Sequence, residues 1–547
     1  MPFLAGSHVS IPNKDILSWI FEHEEAKPGR PVYIDAVRPQ RSINRDQALI
    51  LIRKLAAGFH STGVRPGDCV CIHAFNDIYY PILVLGILAA GAVFTGSNPA
   101  YTAAELSHHF KTARVGLVIT EPDKVSDVVE ASRRLNGGMP PAVLIFDQPE
   151  QPLRHRGFLS WRTLLQHGQR DWVSFDNKEQ CADTPAAYLF SSGTTGLPKA
   201  AVVSHRNLIA QHMLVTESHQ VPYEVSRLLY LPMFHAAAVP MSHVSPLRSC
   251  VTSYVLRRFE IEAFLGTIGK FQITDLTLVP PVVVTIVKHP NVQKYSLESL
   301  RVVIVGAAPL GRDNQVELQR ILSDEARVTQ VWGMTEATCI ATTFRYPESD
   351  DTGSVGRLLP NLDAKLIDED GKEIPGLDRV GEMCIRGPTV ISRYLDNPAA
   401  TAASFDSQGY YKTGDVMYCS STGGKWYVVD RKKELIKVRA FQVAPAEIEG
   451  VLLSHASISD AAVIGIPSSI DAEVEHPRAY VVRSPAGTKL TETEVVNYCK
   501  ERLAKYKELT GGVRFLDALP RNATGKLLKR ELRSMVEAET KSQRARL

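Results

Sequence analysis

The sequence has no large excess of either charge. Its 62 Lys and Arg residues are nearly balanced by 59 Asp and Glu residues, so the net charge is only +3 over 547 residues. A protein that coats nucleic acid carries a strong basic excess, and this balance therefore argues against that class of function. Hydrophobic residues make up 44% of the chain and charged residues 22%, which is typical of a globular protein with about three or four folding units.

Clustered cysteines and long hydrophobic runs are also missing. The eight Cys residues include no CxxC pair and no Cys/His cluster with zinc-ligand spacing, so neither a disulfide scaffold nor a structural zinc site is predicted. The most apolar run, residues 81–97, is uncharged but short for a bilayer and contains three Gly. We interpret it as a buried helix and turn. Residues 1–10 lack the pattern of a secretory signal, and we expect none.

Short apolar runs alternate with helical patterns through the first two-thirds of the chain. The predicted strands are residues 69–74, 115–120, 142–146 and 302–305, and residues 78–90 are predicted to form a helix. This alternation predicts α/β layers with largely parallel sheets.

The pattern changes between residues 347 and 430. Short strands separated by Gly, at residues 364–367, 381–386 and 425–429, predict a small β subdomain that resembles a barrel. A charged run follows Asp430, and a compact mixture of helices and strands continues to residue 547. We therefore predict two domains, residues 1–430 and residues 431–547.

The segment SSGTTGLPK at residues 191–199 is the most informative motif. Its glycines let backbone N–H groups approach phosphate oxygens, its hydroxyls donate further hydrogen bonds, and its lysine neutralises charge. This composition predicts a phosphate-binding loop. Composition alone also fits a flexible surface loop.

Seven motifs in order resemble those of the adenylate-forming enzymes, in particular the branch that contains the 4-coumarate–CoA ligases, the acyl-CoA ligases and the luciferases. They are SSGTTGLPK (191–199), LPMFH (231–235), GAAPL (306–310), QVWGMTEAT (330–338), YKTGD (411–415), DRKKELIKVRAFQVAPAE (430–447) and PRNATGK (520–526). The resemblance implies a large N-terminal domain of two α/β layered subdomains plus a small β-barrel-like subdomain, and a small mobile α+β C-terminal domain. It also implies an ATP-dependent acid–CoA ligase that first makes acyl-AMP and pyrophosphate and then passes the acyl group to CoA.

The site residues follow from the same resemblance. The implied ATP contacts are Ser191, Ser192, Gly193, Thr194, Thr195, Gly196, Leu197, Pro198, Lys199, Gln330, Val331, Trp332, Gly333, Met334, Thr335, Asp415, Arg431 and Lys526. The implied catalytic residues are Lys526, Lys437, Gln442 and His235, with Glu336 as the Mg²⁺ ligand. The acid would contact His235, Ala237, Ala238, Gly306, Ala307 and Ala308, and CoA would contact Arg258, Arg439, Ala440 and Phe441. These roles suit the chemistry, because joining a carboxylate to ATP brings two anions together and needs positioning and cations.

The residues around His235 bear on the acid substrate. Residues 231–239 contain no carboxylate, and a buried ammonium without a partner is costly, so an α-amino acid is disfavoured. Small Ala residues at positions 236–238 predict a wide apolar pocket for an aryl or cinnamate-like acid or a medium-chain aliphatic acid.

Three other functions stay open from the sequence. The chain is compatible with an enzyme that loads a separate carrier protein, with a luciferase-like oxygenase, and with a nucleotide-binding protein that has lost catalysis. The presence of Lys526, Glu336 and Asp415 argues against the last of these. The terminal tripeptide Ala545-Arg546-Leu547 resembles the Ser-Lys-Leu address read by the peroxisomal import receptor, so we expect a peroxisomal protein and otherwise a cytoplasmic one.

Overall fold

The computed structural model describes most of the chain. The described residues are 3–22, 28–135, 140–148, 154–155, 157–191, 198–438, 441–468, 475–522 and 525–544. Two large sheets, a smaller antiparallel sheet and a C-terminal unit of strands and helices follow one another. This arrangement confirms the predicted α/β fold class.

An eight-stranded sheet forms the first layer. Its strands lie in the order Lys199–Ser204, Pro185–Ser191, Val93–Gly96, Cys69–His73, Val115–Thr120, Ala142–Ile145, Phe158–Ser160 and Arg154–His155. The central pairs are parallel and the outermost pair at each edge is antiparallel. The strands predicted from apolar runs are therefore present and parallel.

A seven-stranded sheet forms the second layer. Its strands lie in the order Arg327–Gln330, Val302–Val305, Asp275–Leu278, Ser226–Leu229, Thr252–Val255, Pro31–Asp35 and Ser42–Asn44, and only the last pair is antiparallel. The carboxyl ends of three of these strands lead directly into the motifs at residues 231–235, 306–310 and 330–338. Ligands bind at this edge in open parallel sheets, so the topology places the site there.

Helices cover the sheets and join their strands. The α-helices are Ile16–Phe21, Arg45–Ser61, Tyr80–Ala89, Ala103–Ala113, Val125–Arg133, Lys178–Asp183, His205–His212, Ser245–Arg248, Ile261–Phe271, Pro280–Val287, Arg312–Arg320, Pro398–Ser404, Pro445–Leu453, Glu492–Lys500 and Lys529–Arg544. Short 3₁₀ helices occupy Pro122–Lys124, Trp161–Gln166, Val292–Lys294, Thr335–Ala337, Pro485–Gly487 and Lys505–Lys507, and π-helical turns occupy Met213–Glu217 and Pro240–Val244.

The apolar run at residues 81–97 becomes a core helix and a strand. Every residue of Tyr80–Ala89 is buried, and at Gly86 an added Cβ would lie 2.6 Å from Leu55, so glycine permits the close packing against Arg45–Ser61. No helix within the described part of the chain is long and apolar enough to cross a bilayer. The prediction of a buried helix and turn is confirmed.

The predicted β subdomain is present. A five-stranded antiparallel sheet lies in the order Glu373–Ile374, Asp363–Ile367, Gly381–Arg386, Tyr411–Cys419 and Trp426–Arg431. A three-stranded antiparallel sheet of Trp332–Met334, Cys339–Thr343 and Arg357–Leu358 connects the seven-stranded sheet to it.

The C-terminal part has its own core. A three-stranded sheet of Ile458–Pro467, Glu475–Arg483 and Val513–Phe515 packs with the last three helices, and Ile436–Val438 pairs with Phe441–Val443 as a short hairpin. Strand Trp426–Arg431 spans the predicted domain boundary, which stays a prediction. Buried Asp430 accepts hydrogen bonds there from the amides of Arg431 (2.6 Å) and Ala446 (3.2 Å), and burial raises the pKa of Asp430 to about 6.

Candidate active site

A carboxylate, a guanidinium and an indole meet at the edge of the β subdomain. Asp415 and Arg431 are direct cross-strand partners, and Arg431 Nε lies 3.2 Å from Asp415 Oδ1. Trp332 donates its Nε1–H to Asp415 Oδ2 at 2.8 Å. Asp415 is only 4% exposed, and a carboxylate has about four acceptor positions, so two bonds leave capacity for two further donors.

Lys526 of the C-terminal part reaches the same place. The charges of Arg431, Asp415 and Glu434 all act on its ammonium group. Burial, followed by repulsion from Arg431, lowers the pKa of Lys526 to about 8. The ammonium in turn lowers the pKa of His235 in the N-terminal domain. The structure therefore brings Lys526, Asp415, Arg431 and His235 together, although more than 290 residues separate the first and last of them.

A tight turn presents Lys526. The Lys526 amide donates to Asn522 Oδ1 at 2.9 Å, and the Asn522 amide donates to the Lys526 carbonyl at 2.9 Å. Gly525 adopts φ +79°, a conformation that favours glycine. Arg521 donates to the Gly525 carbonyl and pairs with Asp460 at 2.6 Å. The motif around Lys526 is thus fixed by its own turn and by an ion pair to a neighbouring strand.

A chain of hydroxyl groups holds Glu336. The Tyr394 hydroxyl donates to Glu336 Oε1 at 2.7 Å and lies 2.7 Å from the Tyr411 hydroxyl. The Lys199 ammonium lies 4.8 Å from the centre of the Tyr394 ring. Burial and the Glu336 carboxylate raise the pKa of Tyr394. Glu336 and Lys199, which come from motifs 137 residues apart, are therefore linked through Tyr394.

The ends of the phosphate-loop motif are fixed, whereas its centre lies outside the described residues. Ser191 and Lys199 are cross-strand partners in the eight-stranded sheet. The Ser191 hydroxyl is buried and has no hydrogen-bond partner within the described chain. The Pro198 carbonyl accepts from His108 Nε2 at 3.1 Å. The residues between them that we predict to contact ATP are not described; they are Ser192, Gly193, Thr194, Thr195, Gly196 and Leu197.

His235 is held in its neutral form. Its Nδ1 accepts the Ala237 amide at 3.2 Å, and burial followed by the Lys526 charge lowers the pKa of His235 to about 4. Cys339 lies beside the same turn, with its Sγ 3.6 Å from the Ala237 carbonyl. Ala238 is buried next to this turn. Small side chains therefore surround the imidazole, and no positive charge resides on the ring at neutral pH.

Hydrogen bonds within the protein hold Gln330 at the start of the QVWGMTEAT motif (330–338). Gln330, which we predicted to contact ATP, accepts from the Leu310 amide at 2.8 Å and donates to the Leu310 carbonyl at 3.1 Å and to Gln315 Oε1 at 2.9 Å. Its side chain therefore closes the turn at residues 306–310. Within that turn Ala307 has a positive φ of 72° and both Ala307 and Ala308 are exposed.

Close packing explains the glycines of this region. An added Cβ at Gly333 would lie 1.8 Å from the Cys339 carbonyl oxygen, and one at Gly306 would lie 3.0 Å from Val331. Met334 and Thr335 are half-buried on the same segment. The sequence WGM can therefore approach strand Cys339–Thr343 only because its central residue lacks a side chain.

Among the residues predicted to bind CoA or to act in thioester formation, the structure describes the side chains of Arg258 and Lys437. Lys437 is exposed on the hairpin, and its amide donates to Glu475 at 2.9 Å. Arg258 is exposed and pairs with Glu260 at 2.9 Å. Other predicted residues lie outside the described part of the chain: residues 439–440 (Arg439 and Ala440), the side chains of Phe441 and Gln442, and the proposed address at residues 545–547. All of these roles stay predictions.

Five residues of the site were not singled out from the sequence. Tyr394, Tyr411, Cys339 and the pair Arg227 and Asp275 reach it through strand pairing and long connections. Of these residues, only Tyr411 could have been identified from a motif, because it is the first residue of YKTGD.

Two layered sheets followed by a small C-terminal unit of strands and helices are the architecture that the resemblance to the adenylate-forming enzymes implies. Residues 20–395 match the family model of the AMP-binding enzyme, and residues 447–526 match that of the AMP-binding enzyme C-terminal domain. The chain therefore belongs to the AMP-binding enzyme family, and the resemblance carried by the seven motifs is confirmed.

Particular relatives are similar over nearly the whole chain. The chain is 50% identical over 535 residues to the acyl-CoA ligase azaF of Aspergillus niger, covering 97% of this chain and 100% of azaF. It is 51% identical over 535 residues to the phenylacetyl-CoA ligase epaB of Aspergillus niger, covering 97% and 98% of the two chains. The crystal structure of ATP-bound MatB from Rhodopseudomonas palustris is similar with a TM-score of 0.82 and 26% identity, covering 95% of this chain and 98% of that one.

Proposed function

We propose that the protein is an ATP-dependent acid–CoA ligase that makes an acyl-AMP and then an acyl-CoA thioester. The observation that carries this proposal is the position of Lys526, which lies among Asp415, Arg431 and His235. A cation there stabilises charge as the acid carboxylate attacks the α-phosphorus of ATP. The acyl-CoA ligase relatives, similar over 97% of the chain, support the same activity.

We assign the ATP site to side chains whose hydrogen-bonding groups are not fully used within the protein. Asp415 has acceptor capacity for the two ribose hydroxyls, and Arg431 offsets its charge. Ser191 and Lys199 provide an unpaired hydroxyl and an ammonium for the phosphates. Gln330 acts indirectly, because it holds the turn at residues 306–310 against which adenine would lie.

Glu336 suits Mg²⁺ that is bound together with ATP. Within the described chain no group of three or more His, Cys, Asp and Glu side chains could hold a metal. Mg²⁺ commonly uses one or two protein carboxylates and completes its shell with phosphates and water. Tyr394 bonds only Oε1 of buried Glu336, so the carboxylate keeps further acceptor capacity for the ion. The bound ion would neutralise phosphate charge.

Thioester formation calls for a different placement of the C-terminal domain. Lys526 occupies the cleft, while Lys437 is exposed on the hairpin. We propose that this arrangement serves adenylation and that rotation about Asp430 brings Lys437, Gln442 and the CoA-binding residues to the acyl-AMP. A single site then serves two reactions in succession.

The acid is proposed to be an aryl or medium-chain aliphatic acid without an α-amino group. The wall beside His235 consists of Ala237, Ala238 and Cys339. A carboxylate outside the LPMFH motif, Asp275, does line the adjoining cavity, but it is the register partner of Arg227. Burial raises the pKa of the Asp275 carboxyl and the charge of Arg227 opposes that shift, so Asp275 already interacts with a cation and is not the free counterion that a substrate ammonium needs.

Ala237→Leu should narrow the acid pocket. We expect kcat/KM for a bulky aryl acid to fall about tenfold relative to that for hexanoic acid, the scale of a few methylene groups in an apolar pocket. The measurement is acid-dependent AMP formation with both acids on both proteins. Ala56→Leu, a substitution in the buried core away from the site, controls for general destabilisation. An unchanged ratio of the two acids would remove Ala237 from the pocket.

Adenylation should decline at alkaline pH. Lys526 must be protonated to act as a cation, and its pKa is lowered to about 8, so kcat/KM for adenylation is expected to fall as the pH rises through about 8. A guanidinium stays charged throughout this range, so Lys526→Arg should lose the alkaline limb. The measurement is acid-dependent ATP–pyrophosphate exchange between pH 6.5 and 9.5. If kcat/KM falls at the same alkaline pH in both proteins, another group causes the fall.

The central test is a panel of carboxylic acids assayed for pyrophosphate exchange and for AMP formation with and without CoA. We expect exchange with acid and ATP alone, and stoichiometric AMP and thioester when CoA is added. Exchange without a thioester at any CoA concentration would favour loading of a carrier protein. If neither pyrophosphate exchange nor AMP formation depends on an added acid, the ligase function is contradicted.

A further inference from the structure

The acid pocket continues beyond Ala237 and Ala238. These residues line a cavity of about 20 Å³, room for a single water molecule. A second cavity of about 760 Å³ lies next to it. Four residues line both cavities: Arg227, Met241, Asp275 and Thr277. The two cavities are therefore adjacent and share this wall.

We propose that the larger cavity is the distal half of the acid site, and that Arg227 and Tyr223 bind a neutral oxygen atom, a ketone or a hydroxyl, on the far part of the substrate acid. The proposal rests on the ligase function above and specifies its substrate class.

A flexible side chain forms the neck between the two cavities. Thr277 Oγ1 lies 3.6 Å from Met241 Sδ across this neck. Met241 belongs to the π-helical turn Pro240–Val244, and a second π-helical turn, Met213–Glu217, contributes Val215 to Glu217 to the wall of the larger cavity. Methionine adapts its rotamer readily, and π-helical turns are frequent at functional sites. A chain of methylene groups can therefore pass once the Met241 side chain turns aside.

Arg227 brings an unpaired donor to this space. It is 9% exposed, and one of its terminal nitrogens donates to Ser245 Oγ at 2.6 Å. Its Nε–H has no hydrogen-bond partner within the described chain. An unsatisfied buried donor costs free energy, which a ligand oxygen would recover.

Tyr223 brings a second donor. Burial, followed by the nearby Asp275 carboxylate, raises the pKa of Tyr223, so its hydroxyl keeps its proton. That hydroxyl is buried beside the Asp275 carboxylate, which acts on it as a side-chain hydrogen-bond acceptor, although the pair falls outside standard hydrogen-bond geometry. Arg227 and Tyr223 both line the larger cavity.

The charge balance favours a neutral oxygen over a second carboxylate. Arg227 faces Asp275 across neighbouring strands, and Arg248 pairs with Glu217 at 2.8 Å. Arg30 pairs with Glu224 at the exposed rim.

The remaining charges of the cavity lie toward its mouth. Arg327 donates to the carbonyls of Pro347 (3.0 Å) and Asp324 (2.6 Å), and Arg345 is exposed near Glu348. A second carboxylate in the interior would therefore meet Asp275 and a guanidinium that is already compensated, whereas a ketone or hydroxyl needs only a donor.

The test compares matched acids on the full-length enzyme. The probes are decanoic acid, its 5-, 7- and 9-oxo derivatives, and decanedioic acid, with kcat/KM measured by acid-dependent pyrophosphate exchange. We expect at least one oxo acid to exceed decanoic acid about tenfold, because a site with buried donors discriminates against an analogue that leaves them unpaired.

Two variants identify the donors. Tyr223→Phe removes only the hydroxyl beside Asp275 and should reduce the preference for the oxo acid about 3- to 10-fold while leaving decanoic acid unchanged. Arg227→Met should abolish the preference if the variant folds. Tyr480→Phe removes a comparable buried hydroxyl in the C-terminal part, one that lies beside the charged side chain of Arg478, and is the matched control, with both acids unaffected.

The outcomes separate the two proposals. Equal use of decanoic and oxo acids, or a preference that survives in Tyr223→Phe, would overturn the distal oxygen site while leaving the ligase function intact. A stronger preference for decanedioic acid would overturn the neutral-oxygen class. If none of these acids nor phenylacetic acid supports exchange, the ligase function fails and the distal site fails with it.

Discussion

Replacing Lys526 with alanine is expected to slow acyl-adenylate formation by about 10²–10³-fold, the scale of losing one preorganised donor to a transition state. The ammonium lies among Asp415, Arg431 and His235 in the arrangement that the structure shows. Thioester formation from supplied acyl-AMP should change far less, because the attack on the α-phosphorus, in which Lys526 stabilises the developing charge, is then already complete. The measurements are acid-dependent pyrophosphate exchange for the first step and CoA-dependent release of AMP for the second.

Lys437→Ala is the matched control for this result. Lys437 is exposed on the hairpin and is not among the groups whose charges shift the pKa of Lys526. We expect the opposite pattern, with adenylation preserved and thioester formation reduced. Equal losses in both steps for Lys526→Ala would contradict a role confined to adenylation. They would point instead to a disrupted domain interface.

Local sequence patterns predicted the layers of this fold because short-range physics determines them. The run at residues 115–120 became strand Val115–Thr120, and the run at residues 302–305 became strand Val302–Val305. The first is buried on nearly every residue, as is typical of a central parallel strand, whereas the second is fully buried on one face and half-buried on the other. The strand at residues 381–386 was equally predictable, because glycine and turn residues lie at its ends.

The contacts of the site were less predictable, because they depend on the register of distant strands. Tyr394 meets Glu336 only because its backbone pairs with Ala201 of the eight-stranded sheet. Arg227 meets Asp275 through the pairing of two strands that are 48 residues apart. No local pattern encodes either pairing. The motif residues were found through resemblance, whereas their supporting partners needed the three-dimensional structure.

The role of Gln330 shows the same limit. Its place in the QVWGMTEAT motif suggested a contact with ATP, but its side-chain amide is occupied by Leu310 and Gln315. A polar residue at the end of a parallel strand can bind a ligand or close the neighbouring turn. The two uses have the same sequence signal, and only the hydrogen bonds distinguish them.

Asp415→Ala should lower kcat/KM for ATP by about 10²-fold or more. Each hydrogen bond to a charged group contributes about 1.5–3 kcal/mol, so losing two ribose hydroxyl bonds removes at least about 3 kcal/mol of binding. Both half-reactions should suffer, because acyl-AMP carries the same ribose as ATP. This behaviour distinguishes Asp415 from Lys526, whose loss affects only the first step. The measurement is the dependence of pyrophosphate exchange on ATP, together with CoA-dependent AMP release from supplied acyl-AMP.

Asp147→Ala supplies the control for Asp415→Ala. Asp147 is also a buried aspartate paired with an arginine, with Arg162 Nε at 3.0 Å, but it bonds Ser160 next to the edge of the eight-stranded sheet, away from the site. Breaking a buried pair destabilises a protein by about 3–5 kcal/mol in either place, so both variants should unfold at lower temperature. Only Asp415→Ala should weaken the use of ATP, because only Asp415 has its remaining acceptor positions beside Trp332 and Lys526. A similar loss of ATP use in both variants would attribute the effect to destabilisation and would remove Asp415 from the ribose site.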